Sequence, residues 1–269
     1  MKDNLGLEYA PWYYKLLPQQ EILTEIALTH NFINEFFDNC NIKEFKNKTE
    51  FKFINYGSKQ LVFVVSVKNG KHYTMLVNQP ATSFGMGKKE FDNLTKLSSE
   101  YPNIVVKPLG YYHNNGKELY ITPYYYQARC IGVDNQWGMW IPEPTYHFEK
   151  FTEKEEENII SKMIALLVLL YDDINKTGIS ECRLDGGDFI LEKDYDEKDI
   201  LNSLKLIAAR EFIKLDLNEY LDILKKELTS NIDNPIIIGK KIRKELTSSE
   251  VENGIELGLK LKEKIKCRR

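Results

Sequence analysis

The run Met163–Leu170 reads MIALLVLL, eight apolar residues in succession. It lies within TEKEEENIISKMIALLVLLYDDI, whose acidic opening suits a helix N-terminus. A helix that is apolar on every face is stable only where other elements surround it. The run is far too short to span a bilayer. The rest of the chain must therefore build a body around it. A length of 269 residues is enough for one large domain or two lobes.

Hydrophobic residues make up 42% of the chain and charged residues 29%, the balance of a soluble globular protein. Its 16 Tyr and 13 Phe argue against disorder. A net charge of −3 argues against a chain-wide nucleic-acid footprint. The charge is uneven. Residues 240–269 hold ten Lys/Arg and five Asp/Glu, a balance of +5, which leaves −8 on the remainder. That basic end is either a solvated helix face or a segment that docks on the acidic body or on an acidic partner. Cys40, Cys130, Cys182 and Cys267 show no CxxC spacing, which fits a reducing compartment and argues against a zinc site. The opening MKDNLGLEYAPWYY lacks the apolar core of a signal peptide. These features predict a cytoplasmic protein with no membrane and no nucleic-acid partner.

Apolar positions Ile22, Ile26, Ile33 and Phe36/Phe37 recur at helical spacing, so residues 18–39 are expected to form an amphipathic helix on the body. FKFINY, LVFVVSV and HYTMLV then read as strands, the last two joined by an Asn-Gly turn. Lys88–Tyr101 reads as a helix with Phe91, Leu94 and Leu97 on one face. NIVVKPLGYYH and GKELYITPYYY read as two further strands around an NNG turn. After Tyr126 the pattern changes. Residues 127–151, with Trp137, Trp140 and two prolines, read as a long aromatic loop, and from Thr152 onward the chain reads as mainly helical. Further helices are expected over Leu217–Leu228 and near Glu250–Lys266, the last with Ser249 and Glu252 at capping-box spacing. The expected divisions are an N-terminal helical extension (1–50), a β-rich lobe (51–126), an aromatic linker (127–151) and a helical lobe with a basic last helix (152–269).

Three strands, a helix, two strands, a linker and a helical half resemble the protein-kinase-like fold. The match is closest to its aminoglycoside and choline phosphotransferase branch, and it covers roughly Phe53 to Leu228. The resemblance implies an α+β, two-lobed architecture with an antiparallel five-stranded N-lobe carrying one helix. The same order of elements also fits an α+β protein unrelated to that family. Gly57 and Ser58 resemble the turn over nucleotide phosphates, where backbone N–H groups must approach closely, though a plain hairpin reads the same way. The family's phosphate-holding cation on the third strand falls on Leu76, and the helix Glu that pairs with it falls on Glu90, which also reads as an ordinary solvated helix residue.

GISECRLDGGDFIL (residues 178–191) resembles the family's catalytic loop. Gly178, Ile179, Leu184, Phe189, Ile190 and Leu191 match its apolar frame. The family's His falls on Glu181, its catalytic Asp on Arg183 and its metal-binding Asn on Asp188. In LKLIAAREF, the second metal-binding Asp falls on Ala208 and the following Gly on Arg210. Arg183 stays protonated and cannot act as a base, and Ala208 cannot hold a metal. One carboxylate, Asp188, is a weak magnesium site. The resemblance therefore implies a pseudokinase: a binding or regulatory protein with no catalytic residue and no cofactor. The alternative is an atypical magnesium–ATP-dependent transferase that uses Asp185 and Asp188.

Arg183 and Arg210 are two of only six Arg in the chain. Their planar forks suit carboxylates or phosphate. They are expected either to pair with Glu181, Asp185 or Asp188 or to take an external anion. Trp137, Trp140 and Tyr146, with Phe148, are either anchors for a protein or small-molecule partner or rings that plug the lobe junction. His147 has no neighbouring acid–nucleophile pattern.

Overall fold

The computed structural model describes residues 19–39, 45, 48–56, 60–67, 70–78, 85–124, 127–133, 136–141, 147–184, 186–192, 204–230, 232–239 and 246–267. The protein is mixed α+β, and its sheets are antiparallel. Two compact units divide it: residues 1–92 with 107–125, and residues 93–106 with 126–269.

The first unit is built on strands β1 (Lys48–Tyr56), β2 (Gln60–Val67), β3 (His72–Asn78), β4 (Gly110–Asn114) and β5 (Lys117–Pro123), in spatial order β1-β2-β3-β5-β4. Alternation sets its faces. Leu61, Phe63, Val65 and Val67 of β2, Tyr73, Met75 and Val77 of β3, and Leu119 and Ile121 of β5 turn to one core. Helix α1 (Gln19–Asn39) supplies Phe32, Ile33, Phe36 and Phe37 to that same core. Phe45 packs edge-on to Tyr73 at 4.8 Å between ring centroids. The turn between β4 and β5 needs left-handed backbone at two successive positions, and Asn115 (φ 49°) and Gly116 (φ 75°) provide it. Of the expected strand over residues 103–113, only the end is strand. Its first part makes a single parallel bridge, Val105 to Leu206.

Helix α2 (Met86–Glu100) follows β3, and the boundary between the units falls within it, at Asp92/Asn93.

The second unit departs from the expected helical body. Residues 127–151 are not a loop: they contain β6 (Gln127–Val133), β7 (Gln136–Ile141) and β8 (His147–Lys150). These join β10 (Gly186–Glu192) and β11 (Leu204–Leu206) in a second five-stranded sheet, order β11-β10-β6-β7-β8. β9 (Thr177–Ser180) and β12 (Glu211–Lys214) pair separately. The pairing Val133↔Gln136 leaves only Asp134 and Asn135 between β6 and β7. A two-residue Asp-Asn link between β-rich runs is the hairpin signal that the prolines and glycines nearby obscure.

Helix α3 (Glu153–Leu169) carries the MIALLVLL run, and all of Met163–Leu170 is buried. Its capping box is Thr152 with Glu155. Helix α4 spans Leu217–Thr229, capped by Asp216 with Glu219. Helix α5 spans Ser248–Lys266. Its capping box is Thr247 with Glu250 and not Ser249 with Glu252, because the helix starts two residues earlier than its apolar periodicity announces. Among the described residues, no helix is long and apolar enough to cross a membrane.

Helix α5 approaches α3 closely through two glycines. A Cβ on Gly254 would lie 2.7 Å from Ile164 Cβ, and one on Gly258 would lie 2.6 Å from Val168 Cβ and 2.8 Å from the Ala165 carbonyl. Gly→Ala inside a helix ordinarily gains about 1 kcal/mol of propensity. At Gly258 the backbone carbonyl cannot move aside, and overpacking costs about 1–3 kcal/mol. Gly258→Ala is therefore expected to lower the denaturant midpoint, the reverse of the propensity effect. An unchanged or raised midpoint would show that the helices can separate freely.

Beyond α3 the chain turns at Asp172. Its carboxylate accepts the Ile174 and Asn175 N–H groups, the Asn175 amide and Lys96 Nζ. Burial pushes this carboxyl up, but the bonds from Asn175 and the Lys96 ammonium outweigh it and hold the group well below the usual carboxylate range. A carboxyl depressed on folding contributes stability above its unfolded value, about 3.9, and loses it as pH falls through the folded value. Asp172→Asn should therefore melt below the parent at neutral pH, with a difference that shrinks as pH drops below about 4. A constant gap across pH would exclude this linkage.

Candidate functional site

Strand β10 lies between β6 and β11, and Phe189, Ile190 and Leu191 are buried on both of its faces, as in a central strand. Asp188 sits in this apolar strand with only 1% exposure. A carboxylate there is tolerable only if its oxygens are filled. The strand geometry brings the partner. Phe189 pairs with Leu206 of β11, and the Ile207 N–H donates to the Asp188 carbonyl at 2.8 Å. The segment 207–210 thus runs beside Asp188.

Arg210 grips the carboxylate with both tips of its fork. Nη1 donates to Oδ2 at 2.5 Å and Nη2 to Oδ1 at 2.7 Å. The Arg183 backbone N–H adds a third bond, to Oδ2 at 2.8 Å. The Asn93 amide donates to the Ala209 and Arg210 carbonyls at 2.8 and 3.2 Å, which holds Arg210 from the other side. Of the two arginines expected to pair here, Arg210 uses its guanidinium and Arg183 uses its main chain. Bidentate arginine–carboxylate pairs are among the stronger polar contacts, and removing one member leaves a buried charge.

The loop before Asp188 is fixed from behind. Glu181 takes a left-handed conformation (φ 54°), and the Glu181 and Cys182 N–H groups donate to the Ile236 and Ile237 carbonyls. Gly239 lies so close that a Cβ would be 2.5 Å from Glu181 Cα. The segment carrying those carbonyls is itself pinned by Glu227 of α4, a buried carboxylate. It accepts the N–H groups of Ile236 at 2.5 Å and of Ile237 and Ile238 at 2.9 Å. Tyr220, also on α4, donates its hydroxyl to the Ile179 carbonyl at 2.9 Å, and its ring occupies the space a Cβ on Gly178 would need. Burial pushes the Cys182 thiol well above its ordinary value, Asp188 adds to the rise and Arg210 opposes it. A thiol in that state is inert.

Glu227, Tyr220, Gly239 and Asn93 escaped the sequence reading. Gly239, an isolated glycine after NPIII, was the one visible signal. The expected solvated Glu90 is instead buried in α2, because it faces inward on the first unit's part of that helix. Leu76 lies half-buried on β3, on the face opposite Met75 and Val77. Glu181 is exposed. Trp137 and Trp140 are in β7, where their main chains pair with Gly132 and Arg129, and His147 opens β8. Gly57, Ser58, Asp185 and Tyr146 lie outside the described residues, as do the side chains of Trp137 and Trp140.

Among the described residues, no group of three or more His, Cys, Asp or Glu comes together in a way that could hold a metal ion. Asp188 receives three donors on two oxygens, so offering a ligand to magnesium requires breaking the Arg210 fork. Compared with models of protein families and with curated proteins, the sequence matches none.

Proposed function

We propose that this chain is a kinase-like binding or regulatory protein without phosphotransfer activity, acting in the cytoplasm. The observation that carries the reading is the Arg210–Asp188 fork. The resemblance in residues 178–191 assigns Asp188 the role of metal ligand, and here that carboxylate is buried and filled by a guanidinium and a backbone N–H. The antiparallel five-stranded first sheet, with α2 between its third and fourth strands, supports the same reading. The partner is a protein or small molecule that engages the loops around Asp188 or the aromatic residues Trp137, Trp140 and Tyr146.

Thermal melting with ATP, with and without magnesium, tests this. A protein whose candidate ligand is held by arginine should show no magnesium-dependent rise in melting temperature. A ligand at a hundred times its Kd stabilises by about 2.7 kcal/mol, well above detection. A magnesium-dependent rise would replace this reading with that of an atypical ATP-dependent transferase.

A further inference from the structure

A cavity of about 230 Å³ lies wholly within the second unit, and neither Asp188 nor Arg210 lines it. Its wall is largely apolar. Tyr101 follows α2, Tyr171 follows α3, Phe212 is on β12 and Ile265 is on α5. The two tyrosine hydroxyls donate to main-chain carbonyls, Tyr101 to Leu169 at 3.4 Å and Tyr171 to Leu215 at 2.7 Å. With those donors spent, what the rings offer a ligand is carbon. An apolar cavity of roughly 150 Å³ takes benzene, so this one has room for a single substituted ring.

The charges at the lining cancel. Glu100, Asp172 and Asp173 stand against Lys96, Lys262 and Lys266. Lys96 pairs with Asp172 at 3.1 Å, and Lys266 and Lys262 share Asp173 Oδ2 at 2.8 and 3.4 Å. Asp172 also accepts three donors from the turn that follows it. Lys262 is buried and donates to the Leu169 and Tyr171 carbonyls. Burial pushes its ammonium below the ordinary lysine value, against the pull of Asp173, so charge is disfavoured at that depth. The capacity left over lies at the rim, and it is of both kinds. Lys96 and Lys266 are exposed and keep N–H donors. Exposed Glu100 and the second oxygen of Asp173 keep acceptors.

This balance selects against ions of either sign. An anion meets lysines already neutralised by carboxylates. A cation gains little from the rings, because Lys262 and Lys96 already stand 5.5 and 6.0 Å from the Tyr171 and Phe212 ring centroids. Either ion must also give up hydration against an apolar wall. A hydroxyl both donates and accepts, so it can use both kinds of rim group and brings no charge.

The geometry points to a binding site for a small neutral ring compound bearing one hydroxyl, with the ring against Tyr101, Tyr171, Phe212 and Ile265 and the hydroxyl at the rim. The site stands apart from the reading of Asp188 and Arg210, and its fate does not decide theirs.

The test is a titration of para-fluorobenzyl alcohol into the full chain, followed by fluorine NMR. The anionic and cationic arms are para-fluorobenzoate and para-fluorobenzylamine, and para-fluorotoluene is the arm without a hydroxyl. The alcohol is expected to bind about tenfold more tightly than either ion, and about fivefold more tightly than para-fluorotoluene, the scale of one neutral hydrogen bond. Added salt screens exposed charges and should leave the alcohol's affinity unchanged. Phe212→Ala removes one wall and Ile265→Trp fills the space, and each should weaken the alcohol about fivefold or more. Both side chains are half-buried, so the two variants should melt as folded proteins. Equal or tighter binding of either ion, no saturable binding of the alcohol, or alcohol binding indifferent to both variants would overturn the assignment.

Discussion

Arg210→Met is expected to destabilise the protein by about 3–5 kcal/mol, the range for removing one partner of a buried ion pair. Asp188 is 1% exposed and the Arg210 side chain 16%, so water cannot replace the lost guanidinium. After the change, the Arg183 N–H is the only described donor remaining on a carboxylate sealed in an apolar strand. The double variant Arg210→Met/Asp188→Asn should recover most of the loss. It removes the orphaned charge and retains an amide oxygen to accept the Arg183 N–H. Denaturant unfolding of parent, both single variants and the double variant gives the coupling energy directly. Additive single effects would mean that the two side chains do not depend on each other.

Leu167→Asp should cost still more. Leu167 is fully buried in the last turn of α3, among neighbours that are all buried. Truncating such a leucine costs about 2–5 kcal/mol through lost contacts and the residual cavity. Introducing a carboxylate adds the penalty of an unpaired buried group. Together these approach the whole of a typical domain's 5–15 kcal/mol. The variant is expected to populate unfolded or aggregated chain at 25 °C, read as lost near-ultraviolet circular dichroism. A parent-like spectrum and melt would mean that α3 is not the centre of the second unit.

Much of the first unit was legible because its signals are local. Buried and half-buried residues alternate over Phe63–Val67 of β2 and His72–Val77 of β3, and Leu119 and Ile121 continue the same face on β5. The Asn115–Gly116 turn declares itself by residue type. The second sheet was not legible, because β6 and β7 mix Gly, Arg and Gln with their apolar residues, and β6 pairs with β10, more than forty residues away in sequence. Long-range pairing leaves no periodic trace in the segment itself. At the site, the charges of Asp188 and Arg210 suggested a pair. Which arginine would serve could not be read, since Arg183 acts through a backbone N–H whose direction depends on how the 181–184 loop is held. That hold comes from Glu227, which in sequence is one more acid on an amphipathic helix. Its role appears only when Ile236–Ile238 is folded back on it.

These considerations converge on one carboxylate with two possible partners, arginine or metal. Calorimetric titration of magnesium–ATP into the full chain, and into Asp188→Asn, decides between them. With Arg210 in possession, neither protein should give binding heat at nucleotide concentrations up to about 1 mM, a free energy weaker than about −4 kcal/mol. Micromolar, magnesium-dependent binding by the parent that Asp188→Asn abolishes would contradict the account, and would make Asp188 a metal ligand after all.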